Sequence, residues 1–131
     1  VTRKLQTPIY HNGNILAAHN GSWILEEYKD LIENYKSKEP LIIFHGHSHS
    51  MGVLPEYKWL NSHEFVRYLE QKEKICKLGH WRAYWANPGA NYFRYNQKQM
   101  AANFGVYNPA QSTITLRTIF YDDPDFKLFD D

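Results

Sequence analysis

Three histidines, His45, His47 and His49, alternate through the stretch FHGHSHS at residues 44–50. Neutral imidazole is a ligand for Zn, Mn, Fe or Ni. Two histidines two residues apart in extended backbone project to the same side, so His47 and His49 can address one metal or two adjacent ones. Gly46 offers a sharp turn and a close backbone approach. His19, in AAHNGS, is a third candidate ligand from a different part of the chain. His45 is expected to pack rather than ligate, and His11, His63 and His80 are expected to be hydrogen-bonded surface residues. Imidazoles alone would leave divalent cations poorly neutralised, so a carboxylate should be near. The aspartates are Asp30 and five at or beyond position 122, none beside these histidines in sequence.

The flanking sequence supplies the elements that would carry these residues. PIYHNGNILAAH predicts two short strands around an Asn12-Gly13 turn, with the second strand, residues 14–18, delivering His19 at its end. Ser22 is the expected N-cap of a helix over residues 23–36, with Ile24, Leu25, Tyr28, Leu31, Ile32 and Tyr35 at helical spacing. LIIF (41–44) is a continuous apolar run after Pro40, suited to a strand buried on both faces. The histidine stretch begins just past its end, where ligand-binding loops of α/β folds lie.

Farther on, Asn61 and Glu64 form a capping-box pattern ahead of Phe65, Val66, Leu69 and Lys72, which predicts a second helix. HWRAYWA (80–86) predicts a strand closed by the turn NPGA (87–90). NFGVYNPAQSTITLRTIFY predicts a hairpin about Asn108-Pro109, with Ile114, Leu116, Thr118 and Phe120 on one face of its second strand. The tail DDPDFKLFDD is acidic and is expected to fray. Arg94 is available to an anionic group. Together these elements make a mixed α/β fold with a sheet covered on at least one side.

The whole composition narrows the function. With 131 residues, 43% apolar and 22% charged, the chain has the size and make-up of one globular domain, residues 1–131. A net charge of +1 with both signs interspersed gives no electrostatic basis for nucleic acid or an anionic membrane as principal partner. A single cysteine, Cys76, excludes an internal disulfide framework and fits a reducing, cytoplasmic compartment. No apolar run is long enough to span a bilayer. The ten tyrosines and four tryptophans therefore read as core and interface material rather than a base-stacking platform.

In chain order, LIIFHGHSHS, WANPGA and AANFGVYNPAQSTITLRTIFYDD resemble the C-terminal half of calcineurin-like metallophosphoesterases. That family runs an apolar strand into a G-H-[ST]-H loop, then a strand into N-P-G-[SA], then a hairpin closing on an arginine-bearing strand and Tyr-Asp. Arg117 and Tyr121-Asp122 stand at those last positions. ILAAHNGSW is similar to the family's strand–His-Gly-Ser segment, with Asn20 interposed, and residues 53–79 are a longer insertion.

The resemblance implies the C-terminal half of a four-layer αββα sandwich. His19 and His47 would ligate one of two divalent metals (Mn, Fe, Zn or Ni) and His49 the other. It implies hydrolysis of phosphomonoesters or phosphodiesters by a hydroxide bridging the metals. The family's D-x-H, G-D and G-N-H motifs are absent, and the chain opens on Val1 rather than methionine. The expectation is a C-terminal portion of a longer phosphoesterase, weak in metal binding and inactive alone.

Two other classes compete. LAAHNGSWILEEYKDLIENY also resembles the strand–H-N-G–helix segment of class II glutamine amidotransferases. Those enzymes use an N-terminal cysteine, where this chain has Val1, and G-H-S-H and N-P-G-A would then have no role. An H-x-H-P metalloprotease is disfavoured by Ser50 at the proline position. The scaffold could instead serve as a non-catalytic binding module, with an exposed sheet edge inviting self-association or a partner chain.

Overall fold

The computed structural model describes residues 9–48, 51–55 and 66–123. Strand β1 (Ile9–Asn12) turns at Gly13 and Asn14 into β2 (Ile15–Ala18), and helix α1 (Gly21–Asn34) follows. Then come β3 (Leu41–Phe44), β4 (Gly52–Pro55), β5 (Glu73–Lys77), β6 (Ala83–Asn87), β7 (Tyr92–Arg94), β8 (Gln99–Asn108) and β9 (Thr113–Asp122). The strands form a five-stranded sheet, β1-β2-β3-β6-β4, and a four-stranded sheet, β5-β9-β8-β7. Within the first, β2, β3 and β6 are parallel, whereas β1 and β4 run antiparallel at the two edges. The second sheet is antiparallel throughout.

The apolar alternation sets the layers. Leu41 and Ile43 of β3, with Ala83 and Trp85 of β6, pack with Leu16 against Ile24 and Ile32 of α1. The alternate residues Ile42, Tyr84 and Ala86 face the other way and pack on Ile114 and Leu116 of β9. Strands β3 and β6 are thus apolar on both faces because both faces are covered. The described residues supply a helix layer and two sheet layers, and the fold is a mixed α/β arrangement. Among the described residues no helix is long and apolar enough to cross a membrane.

Several local expectations shift. The hairpin loop is Gly13-Asn14, one residue later than Asn12-Gly13, with Gly13 at φ 58°. The cap of α1 is Asn20, not Ser22: its Oδ1 accepts from Ser22 N at 2.9 Å and from Ser22 Oγ at 2.7 Å. The helix is interrupted at Tyr28 by non-helical backbone. Strand β6 starts at Ala83 rather than His80, because the Tyr84 hydroxyl accepts from Trp81 N and holds the preceding loop.

The expected helix after Asn61 does not extend through Val66–Lys72. Val66 exchanges both backbone hydrogen bonds with Met51, Leu69 N donates to Thr118 Oγ1, and Thr118 N donates to Lys72 O. These tertiary partners take backbone groups that a helix would use; residues 61–65 lie outside the described residues. The second hairpin agrees with the sequence, and Ile114, Leu116 and Thr118 are buried together. Asp122 still belongs to β9, and buried Asp123 pairs with Arg94, so fraying does not begin at position 122.

Candidate functional site

The three segments singled out by sequence meet at one place. His19 follows β2, His45–His47 follow β3, and Pro88–Asn91 follow β6, so all lie past the C-terminal ends of the three parallel strands. They line a cleft of about 450 Å³ with Ala17, Ala18 and Phe44. Crevices at this end of parallel strands are where α/β proteins bind ligands, because the connecting loops diverge there.

Within the cleft wall, His19 Nε2 lies 3.1 Å from His47 Nδ1, with the rings edge to face at 5.1 Å between centroids. Both imidazoles are exposed, and Gly46 N donates to His19 O at 2.9 Å, fastening one loop to the other. The sharp turn falls on His47 rather than on Gly46: His47 has φ 72°, and Ser48 N donates to Gly46 O at 2.9 Å. This is a γ-turn of the rare positive-φ kind, costing about 1–3 kcal/mol for a residue with a Cβ. Strain of this kind persists only where surrounding contacts enforce it.

His45 is buried, edge-on to Trp85 at 5.7 Å, and burial lowers its pKa to about 4, partly offset by a hydrogen bond with the Gly46 backbone. Helix α1 begins tightly against it: a Cβ on Gly21 would sit 3.2 Å from the His45 ring. A side chain at position 21 would crowd the His45 ring by a few tenths of an ångström, and the Asn20 side chain caps the helix there.

His49 and His63 lie outside the described residues. His11 is in the β1 hairpin with Nε2 3.2 Å from Gly13 O, and His80 lies at the opposite end of the sheet. Arg117 is remote from the cleft, beside Glu73 at 3.4 Å and over the Phe104 ring. Asp30 is exposed on α1. Cys76 on β5 has its thiol pKa raised by burial, the opposite of an activated nucleophile.

The imidazole pair fits one divalent cation. Two nitrogens each about 2.0–2.1 Å from a shared metal stand roughly 2.8–3.4 Å apart across octahedral to tetrahedral angles, and the two here are 3.1 Å apart. Among the described residues no group of three His, Cys, Asp or Glu side chains converges, and the cleft lining contains no carboxylate.

Sequence reading missed Asn87. It is fully buried, its Nδ2 donates to Ser48 Oγ at 2.9 Å, and its Oδ1 accepts from Gly89 N at 2.9 Å. The turn signal N-P-G-A accounts for a bend but carries no hint of a bond to a distant loop.

No protein-family profile and no curated protein matches the sequence. Among solved structures, a metallophosphoesterase from Sphaerobacter thermophilus is similar, with TM-score 0.55 and 15% identity over 86% of this chain. The chain spans 47% of that protein's length. The likeness is one of fold: this chain's two sheets and helix are consistent with a partial metallophosphoesterase-like fold.

Proposed function

We propose that this chain is the C-terminal portion of a two-metal phosphoesterase, carrying the imidazole side of its metal centre. The observation that supports this most is the His19–His47 pair, brought together from two strand ends at ligand spacing on a metallophosphoesterase-like scaffold. His19 and His47 would hold one divalent cation, and His49 would serve a second. Bound divalent cations supply Lewis acidity toward a phosphoester and neutralise its developing charge. This chain's own contribution is to hold two imidazoles open to the cleft while the N-P-G-A turn walls one side. The missing carboxylates would come from the remainder of a longer protein, for which β1 and β4, the edge strands among the described residues, offer a place to pair.

Asn20 caps α1 and Gly21 lies close against the His45 ring, which gives H-N-G a structural use on the phosphoesterase reading as well.

Thermal unfolding with and without Zn²⁺ or Mn²⁺ tests the proposal. Metal at a hundredfold excess over Kd should stabilise the wild type by about 2.7 kcal/mol, and the shift should vanish in His19→Ala and in His47→Ala. The 131-residue chain should not turn over an aryl phosphate. Metal-independent stability would contradict the proposal, and sustained metal-dependent turnover would contradict the claim that the site is partial.

A further inference from the structure

We infer that Asn87 is a positioning residue for His47: its buried amide clamps the loop after β3 to the turn after β6 and sustains the γ-turn that aims the His47 ring at His19. Its consequence for metal affinity rests on the function proposed above; its geometry does not.

Four observations carry it. First, both ends of the Asn87 side chain are used, and each has only one chemical assignment. Only the amide oxygen can accept from Gly89 N, which directs Nδ2 away from its own turn and at Ser48 Oγ. Second, the bond lands next to the strained residue. Ser48 closes the γ-turn through its backbone N while its hydroxyl is held by Asn87, so His47 is pinned between Gly46 and Ser48.

Third, the mount is closely packed. Gly89 stands at φ 87°, and a Cβ there would lie 2.6 Å from Met51 Cγ and 2.9 Å from Asn103 Nδ2, so the turn sits against these neighbours with no room for a side chain. Asn103 is itself fixed, donating to Arg67 O at 3.1 Å and accepting from Thr118 Oγ1 at 2.7 Å. Fourth, Asn87 is fully buried whereas Ser48 is exposed, so the donor is the fixed partner and the loop the held one. Outer groups that orient a ligand residue govern metal affinity as ring orientation does.

The test uses the full chain with Ser48→Ala, Asn87→Ala and a core control, Ile114→Val. Imidazole ¹⁵N NMR of the metal-free protein reads the His19–His47 hydrogen bond directly. Wild type and Ile114→Val should show the nitrogens of a bonded pair, and both clamp variants should show averaged, independent rings. Zinc affinity should fall about 10–100-fold in the clamp variants and hold in Ile114→Val. Unchanged ring signals in Ser48→Ala and Asn87→Ala would overturn the inference. So would a lower Tm in Asn87→Ala with ring signals and zinc affinity intact, since that would make Asn87 a stabilising residue only. If wild type takes up no zinc while the rings still respond, the metal reading fails and the positioning role stands.

Discussion

The two ends of strands β2, β3 and β6 are built on opposite plans. At the N-terminal end, Lys36, Lys38, His80 and Arg82 gather around a second cleft. Arg82 donates to the Glu33 carbonyl in the last turn of α1, and a cation there complements the negative end of the helix dipole. The Arg82 charge therefore has a structural use, and the same dipole opposes an anionic ligand. At the C-terminal end, two imidazoles face each other from separate loops, and His47 occupies a backbone conformation that costs energy. A cation that completes a helix and a histidine at a strained turn look alike in sequence; only their partners separate them.

The comparison can be sharpened by acid. His45 is buried at the C-terminal end with its pKa lowered to about 4. The unfolded chain binds a proton near pH 6.5 while the folded one resists it, so stability is full above about 6.5 and falls as pH drops toward 4. The loss should approach about 3 kcal/mol, measured by denaturant unfolding of metal-free protein. His45→Phe should flatten that part of the profile relative to wild type. An identical slope in the variant would place the acid-sensitive group elsewhere.

The opposite end should give the smallest effect. Arg82→Ala removes one cation from the terminus of α1 and should cost about 1 kcal/mol or less, read from the denaturation midpoint. Zinc titration of this variant should match wild type. A weakened zinc isotherm would break the separation between the two ends.

Much of this was legible in sequence where local chemistry is strong. LIIF could hardly be other than a buried strand, and the Asn108–Thr113 turn is written in its residues. The meeting of His19 with His47 followed from placing both at strand ends. Other features depend on contacts between distant segments. Val66–Lys72 gives up its helical pattern to Met51 and Thr118, which lie far off in sequence. The Asn87–Ser48 bond joins residues 39 apart, and no local pattern encodes it.

The central claim is that His19 and His47 are ligands to one metal. X-ray absorption at the zinc edge of the stoichiometrically loaded chain reads this most directly. The account predicts at least two imidazole nitrogens per zinc at about 2.0–2.1 Å, lost in the His19→Ala/His47→Ala double variant. A shell of oxygen alone, or a shell unchanged in that variant, would contradict it.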